Sequence, residues 1–160
     1  MVSASSTIES WLAELGLELP PPPRPIAAFV PFTRDGTTVY LAGQVNELDG
    51  KPTITGRVPD DHDIAAGQAA ARICALNLLA CLKLACNGDL GRVDRCLSVR
   101  GFVAAAPGFD KVPMIVNGAS ELFLAILGDQ GRHARTAIGV STLPQNAVVE
   151  VDAIFRVRDV

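Results

Sequence analysis

One arginine lies in a stretch of small and apolar residues near the end of the chain. Arg135 belongs to the run Ala134-Arg135-Thr136-Ala137-Ile138-Gly139-Val140, which a Pro-containing turn separates from a second strand-like run at 147–153. Burying a guanidinium on a strand among small side chains costs free energy unless an anionic group pairs with it. Arg135 is therefore the first candidate for contact with a ligand.

Carboxylate binding is the chemistry that this pattern favours. Ala137 and Gly139, the neighbours of Arg135 on one side of the strand, have almost no side chain, which predicts open space beside the guanidinium. The planar fork of arginine holds a carboxylate through two parallel hydrogen bonds. The alternative is a structural ion pair with Glu150 or Asp152, and the sequence leaves both interpretations open.

Two further polar side chains also have more than one interpretation. Glu150 either orients a water molecule and transfers a proton near the ligand of Arg135, or is an ordinary residue on the polar face of an amphipathic strand. Spacing alone favours the second. Asn117, near the start of a predicted helix, either caps that helix or faces solvent, or reaches a ligand through its amide.

Composition excludes several classes of function. The net charge of -3 and the pI near 5.3 argue against a nucleic-acid or anionic-membrane surface, which needs concentrated Lys and Arg. The longest apolar run is far shorter than the ~20 residues that cross a bilayer, and the first residues lack the pattern of a signal peptide. We therefore expect a cytoplasmic protein.

The cysteines and histidines do not form a recognisable metal or cofactor motif. Cys74, Cys81, Cys86 and Cys96 lack CxxC spacing, and we expect reduced core thiols rather than a disulfide framework. His62 and His133 lie far apart in sequence. Zinc, P-loop, dinucleotide and hydrolase motifs are missing, so no cofactor and no metal are expected.

The order of elements predicts an α+β fold in a single domain. A helix follows the capping box at 6–9, four prolines at 20–23 form an extended arm, and strands are predicted at 27–32, 38–44 and 53–58. A long helix at 64–86, a strand at 93–105, a helix at 113–127 and two strands complete the chain, with the last at 147–157. We expect a mixed, mostly antiparallel sheet with two helices on one face, and a closed oligomer covering Ile154 and Val148 on the other.

The same patterns predict which side chains face the core. In the long helix, the residues predicted to face the sheet are Ala71, Ile73, Leu76, Leu79, Ala80 and Leu84. In the following strand, Leu97, Val99 and Val103 are predicted on one side, with Cys96 on or near the other. The helix and proline-rich arm, residues 1–26, are predicted to lie over a main domain at 27–160.

Several of these segments together resemble the Rid family, also called YjgF-like or L-PSP endoribonuclease-like proteins. The matching runs are Ala134-Arg135-Thr136 through Leu143-Pro144, Val149-Glu150-Val151-Asp152-Ala153, Ala42-Gly43-Gln44, Gly67-Gln68-Ala69, Val99 to Val103 and Val116-Asn117-Gly118-Ala119. The resemblance spans about 27–157, and the N-terminal helix and proline run are similar to a longer branch of the family. It implies a chorismate-mutase-like fold, a homotrimer and a ligand cleft at each subunit interface.

The resemblance also implies an activity and roles for residues. The activity is cofactor-free hydrolysis of reactive enamine or imine intermediates to 2-keto acids and ammonia. By position, Arg135 would bind the substrate carboxylate and Glu150 would lie near the hydrolytic water, while Asn117 and Pro144 would line the cleft. Gly43 and the backbone around Ala137 would complete its wall.

Three positions differ from the deaminase pattern of that family. Phe29 replaces a Tyr, Ala42 replaces a Ser, and Gly139 replaces a frequent Glu. Losing two hydroxyl groups removes hydrogen-bond partners for the imine or the water. The alternative function is therefore a non-catalytic binding protein for a small carboxylate metabolite. The ribonuclease activity of the family label is disfavoured by the acidic pI.

Overall fold

The computed structural model of the chain describes residues 4–159, with side chains from residue 8 onward. The elements are α1 (Ala4–Glu14), β1 (Phe32–Asp35), β2 (Thr38–Val45), β3 (Glu47–Leu48), β4 (Lys51–Pro52), α2 (Ile64–Ala85), β5 (Val93–Ala104), α3 (Val112–Leu127), β6 (Ala134–Val140) and β7 (Val149–Val157). Short 3-10 helices cover Leu90–Arg92, Gly128–Gly131 and Pro144–Asn146. The predicted α+β class is confirmed.

The main sheet has five strands in the order β1-β2-β7-β5-β6. Only β5 and β6 are parallel, and the other neighbouring pairs are antiparallel, as the prediction of a mixed, mostly antiparallel sheet requires. β6 and β7 follow each other in the chain but do not pair, because β5 lies between them. Strands β3 and β4 form a separate hairpin.

Helix α2 lies in the core, as predicted. Asp63 caps its N-terminus by accepting a hydrogen bond from the Ala66 amide at 2.8 Å. Four of the six side chains predicted to face the sheet are buried, namely Ala71, Leu76, Leu79 and Ala80. The prediction is wrong for Ile73, which is half-buried, and for Leu84, which is exposed, because α2 is packed on part of its circumference only.

Glycines allow the helices and the sheet to approach closely. A Cβ added to Gly118 of α3 would overlap the backbone of Gln68 in α2, and one added to Gly101 of β5 would overlap the side chain of Val116. Three of the runs that carry the family resemblance, at 67–69, 99–103 and 116–119, therefore meet where α2, β5 and α3 are in contact. Any larger side chain there would force the layers apart.

Two of the predicted strands are wrong. Residues 27–30 are irregular and β1 begins only at Phe32, because Pro31 has no amide hydrogen for a sheet ladder. Residues 53–58 also form no regular strand. Two isolated bridges, from Thr55 to Ala147 and from Val58 to Ala105, connect them to residues that flank β7 and β5.

A register shift changes which side chains of β5 face the core. The pairing of β5 with β7 slips between Cys96 and Ser98. Cys96 is consequently buried on the same side as Val99, whereas Leu97 is only half-buried, which reverses the predicted faces of these two residues. Val148 was predicted on the outer sheet face, but it precedes β7 and is fully buried.

Helix α1 packs on the main domain through Ile8 and Leu12, which are buried in the common core. It begins at Ala4, so Ser6 lies inside the helix rather than at its N-cap, and the side chains of the predicted capping box before Ile8 lie outside those described.

The segments Ile64–Ala85 and Val112–Gly131 are long and apolar enough to span a membrane by composition, with 61% and 44% of their respective windows buried in the fold. Both are core helices here. The division of the chain at residue 27 stays a prediction.

Candidate functional site

Glu150 lies on the face of the sheet opposite the helices. Its neighbours along β7, Val149 and Val151, are fully buried beneath α2 and α3, and strand alternation turns Glu150 the other way. It pairs with Val45 of β2 and Phe102 of β5. Alternation thus places this carboxylate opposite Val149 and Val151, and the packing of the helices on those two residues makes its side the outer face.

Gly43 makes room for the carboxylate. The pairing of β2 with β7 is irregular between Leu41 and Gln44, and Gly43 lies in that irregularity. A Cβ on Gly43 would overlap Glu150 Oε1 and would lie 3.2 Å from Glu150 Cδ. The carboxylate of Glu150 occupies the space that any other residue at position 43 would fill.

A cavity of about 230 Å³ surrounds this carboxylate. Its lining comes from the proline-rich arm, from β2 and the residues after it, and from the turn before β7: Pro23, Arg24, Pro25, Ile26, Ala27, Phe29, Gly43, Gln44, Val45, Glu47, Pro144, Gln145 and Glu150. We call it the Glu150 cavity. Of the sequence-predicted site residues, the structure brings together Phe29, Gly43, Pro144 and Glu150. Ala42 precedes Gly43 in β2 and does not line the cavity.

The surroundings of Glu150 shift the pKa of its carboxyl group. Burial, and secondarily the nearby Asp152 carboxylate, raise the pKa of Glu150 above its ordinary value. Asp152 itself is held by Arg100, with Nε–Oδ1 and Nη2–Oδ2 distances of 2.9 and 2.7 Å. Among the described residues no donor hydrogen-bonds to the Glu150 carboxylate, so it is free to accept a proton from a bound molecule.

Two features that were not predicted fix the wall of the cavity. Gln145 has a φ of 57°, a left-handed conformation that a non-glycine residue adopts at some cost, and it lines the cavity next to Pro144. Asn46 is fully buried and its Oδ1 accepts hydrogen bonds from the amides of Val148 and Val149 at 3.0 and 3.1 Å. It thereby fixes the start of β7, and no motif in the sequence indicated this role.

Arg135 lies on the opposite face of the sheet, against α3. Its Nη1 donates to Asn117 Oδ1 at 2.8 Å and to Ser120 Oγ at 3.2 Å, and its Nη2 donates to the Pro113 carbonyl at 3.1 Å. We call Arg135, Asn117, Ser120 and His133 the Arg135 cluster. Asn117 does not cap α3, whose N-cap residue is Lys111.

The space predicted over the small residues beside Arg135 is filled. Ala137 packs against the hydrophobic core, and a Cβ on Gly139 would lie 3.4 Å from Ala105 Cβ and 3.6 Å from Val112 Cγ2. The prediction of an open floor there is wrong, because the start of α3 covers that part of β6. The open space lies instead beside Ser120, Arg132 and His133, in a cavity of about 260 Å³ that Arg135 also lines.

Ser120 and His133 extend the hydrogen bonding of Arg135. His133 Nδ1 lies 2.6 Å from the Gly131 carbonyl, which can only accept, so Nδ1 carries the proton. Burial, and secondarily the charge of Arg135, lower the pKa of His133 and favour its neutral form. Nε2 then accepts from Ser120 Oγ at 2.9 Å, and that oxygen accepts in turn from Arg135. Ser120 is one helical turn after Asn117, so helical periodicity could have identified it.

Arg135 and Glu150 do not meet within one chain. Arg135 pairs across β5 with Val99, which faces the helices, whereas Glu150 pairs with Phe102, which faces away from them. The ion pair considered from sequence is not formed, since Arg135 is bound to α3 and Asp152 to Arg100. A site that uses both residues needs a second copy of the chain.

The fold defines a YjgF-like α+β protein, and comparison with known sequences agrees. The family described as "YjgF/chorismate mutase-like, putative endoribonuclease" matches residues 9–156, and the chain belongs to this family. The predicted resemblance to that family is confirmed. The chain is 37% identical to protein TCP17 of Trypanosoma cruzi over 159 residues, 99% of each sequence.

Solved structures give the same result. Atu1372 from Agrobacterium tumefaciens, a protein of unknown function, superimposes with a TM-score of 0.90 at 45% identity, covering 98% of this chain and 96% of that one. A Shewanella oneidensis protein described as a "putative endoribonuclease" has a TM-score of 0.90 at 32% identity, covering 94% and 99%. Escherichia coli TdcF, solved with bound serine, shares the fold at 19% identity and a TM-score of 0.59 over 88% of this chain and 94% of its own.

Proposed function

We propose that this protein hydrolyses reactive 2-enamine and 2-imino acid intermediates to 2-keto acids and ammonia, without a cofactor, in clefts between the subunits of a homotrimer. The observation that carries the proposal is the half-buried Glu150 carboxylate, which lies in a cavity together with Phe29, Gly43 and Pro144. Binding of an amino acid by a related fold, TdcF, is consistent with a ligand of this size and charge.

In the proposed reaction Glu150 acts on water. Its carboxylate takes a proton from a water molecule whose oxygen attacks the imine carbon, and the electrons of the C=N bond move to nitrogen. The same carboxyl group then returns the proton to the nitrogen of the tetrahedral intermediate. The hydroxyl group of that intermediate then gives its proton to the carboxylate, which passes it to the nitrogen. As the C=O bond of the 2-keto acid forms, the C–N bond breaks and ammonia leaves. The raised pKa of Glu150 suits these transfers, because a general base works best when its pKa approaches the working pH.

Arg135 of a second subunit would bind the carboxylate of the substrate. Asn117 and Ser120 hold the guanidinium in one orientation, so little entropy is lost when it forms a bidentate pair with a carboxylate. The outer sheet face carries the apolar residues Tyr40, Phe102, Ile138 and Ile154, with Tyr40 and Ile138 45% and 46% exposed. Burial of such a face between subunits supports the proposed closed oligomer.

The test is hydrolysis of an imine generated by an amino-acid oxidase, followed as 2-keto acid formation in the presence of semicarbazide. We expect the wild type to accelerate it, Arg135→Ala to lose about 100-fold in kcat/KM, and Arg135→Lys to recover only part, because lysine lacks the planar fork. Arg72→Ala, which removes an exposed arginine on α2, is the charge-matched control. Equal rates for wild type and Arg135→Ala would refute the proposal.

A second candidate is a non-catalytic binding protein for a small carboxylate metabolite. The observation that favours it is Phe29, which lines the Glu150 cavity and offers no hydroxyl group to position water. Calorimetric titration with 2-keto acids and amino acids, combined with the hydrolysis assay, separates the two. Carboxylate binding without hydrolysis would support this candidate, and the absence of binding would contradict both. For either function we propose a cytoplasmic location.

A further inference from the structure

A second cavity adjoins the Glu150 cavity beneath the proline-rich arm. Its volume is about 310 Å³, and it extends past Pro20 to Pro23 toward the turn of the β3–β4 hairpin and Asn77. The two cavities share the residues Pro23, Arg24, Ile26, Glu47 and Gln145. The two cavities are therefore adjacent, and Arg24 is on the wall that they share. We call the two cavities together the groove.

The backbone of Arg24 is unusually restricted. Arg24 lies between Pro23 and Pro25, at the end of a run of prolines. Each proline fixes its own φ near -65°, and Pro25 also disfavours the helical region for Arg24. The arm ends are attached to the body: Leu19 packs against the core and the Pro31 carbonyl accepts from the Ala42 amide at 2.9 Å. The groove is thus lined by an arm whose shape is set before any ligand binds.

The guanidinium of Arg24 is available to a ligand. Among the side chains described, from residue 8 to residue 159, it has no hydrogen-bond or ion-pair partner, although it shares the cavity wall with Glu47 and Glu150. If its role were to neutralise Glu47, a contact with that carboxylate would be expected. Burial instead raises the pKa of Glu47, with no arginine among the causes. A planar cation that lines both cavities and has no partner among the described side chains fits a carboxylate that arrives with the ligand.

We propose that Arg24 binds a second, distal carboxylate, and that the protein therefore prefers dicarboxylic 2-imino and 2-keto acids. The reacting carbon lies near Glu150, and the side chain of the ligand extends along the groove to Arg24. This inference rests on the proposed function only in taking the Glu150 cavity as the ligand site. It adds a specificity-determining residue that belongs to the arm rather than to the sheet.

The test compares two keto acids of equal chain length by calorimetry on the intact chain. 2-Oxoglutarate carries a distal carboxylate, and 2-oxopentanoate does not. We expect the wild type to bind 2-oxoglutarate about fivefold more tightly, a modest preference because Arg24 is exposed. Arg24→Gln should remove that preference and leave 2-oxopentanoate binding within about twofold of the wild type. Arg72→Gln, with the same change in net charge, should keep the preference.

The outcomes separate this inference from the proposed function. The role of Arg24 would be overturned if the wild type bound both acids equally or bound neither. It would also be overturned if the preference persisted in Arg24→Gln. A preference that depends on Arg24 in a protein without imine hydrolysis would support the inference and refute the proposed activity. Imine hydrolysis that does not depend on the distal carboxylate would support the proposed activity and refute the role of Arg24.

Discussion

Replacing Gly43 by alanine tests whether the position of the Glu150 carboxylate controls activity. The new Cβ would overlap Glu150 Oε1 and lie 3.2 Å from Cδ, so the carboxylate must move by about 1 Å to restore van der Waals contact. Glu150 lies on a strand whose backbone is fixed on both sides by β2 and β5. The side chain therefore yields by rotation, away from the proposed position of the water.

The expected effects on stability and on activity differ in size. Rotation to a strained side-chain conformation costs about 0.5–1.5 kcal/mol, and the smaller entropy of the unfolded alanine chain offsets about 0.4–1 kcal/mol. The free energy of unfolding should thus stay within about 1 kcal/mol of the wild type. A displacement of about 1 Å at a catalytic group lowers rates by roughly 100-fold, which corresponds to about 2.7 kcal/mol in the activation free energy.

The assay measures kcat/KM for imine hydrolysis together with thermal unfolding. Carbon NMR of the Glu150 carboxyl provides the structural readout, since a displaced carboxylate should titrate closer to its ordinary pKa. Gly139→Ala is the matched folding control, because its Cβ would make only ordinary contacts at 3.4 and 3.6 Å. Wild-type activity in Gly43→Ala, with the Glu150 titration unchanged, would refute the claim that Gly43 sets the position of the Glu150 carboxylate.

Two further predictions follow from burial. The raised pKa of Glu150 means that its protonated form favours folding, and this contribution is lost as the pH rises through the folded pKa. Glu150→Gln should therefore melt about 1–2 °C above the wild type near pH 7 and equal it near pH 4, and a difference independent of pH would contradict this. Glu121→Gln, at an exposed position of α3, is the control for the loss of one carboxylate. Burial also raises the pKa of Cys81 to about 11 and of Cys96 to about 12, and all four thiols are buried. An aromatic disulfide reagent at about pH 8 should modify the native protein slowly and all four cysteines after unfolding, and rapid labelling of the folded protein would be unexpected.

Local patterns in the sequence predicted the helices well. The helices predicted at 64–86 and 113–127 agree within one residue at each end with α2 and α3. These signals are local, because a helix forms its hydrogen bonds within its own segment. The strand predicted at 27–32 failed because Pro31 lacks the amide hydrogen of a sheet ladder, so the pairing with β2 begins only at Phe32.

Some of the candidate site residues were visible in the sequence, and others required the tertiary structure. Phe29, Gly43, Pro144 and Glu150 were chosen from sequence and line one cavity, while Asn117 was chosen as a candidate and contacts Arg135. Arg24 was not among the candidates, although its place between two prolines was visible in the sequence. Its relevance depends on where the arm lies over β2, which no local pattern encodes.

The sequence by itself determined the class of fold and the two core helices, because residue type and periodicity carry that information. It also offered Arg135 as a candidate from its setting among small residues, and Glu150 through the family resemblance. Only the tertiary structure decided that Arg135 and Glu150 face opposite sides of one sheet. β5 is inserted between β6 and β7, and the register across it sets the two faces. Strand order and register arise from contacts between distant segments, so the sequence could name both candidate residues without showing that a single chain keeps them apart.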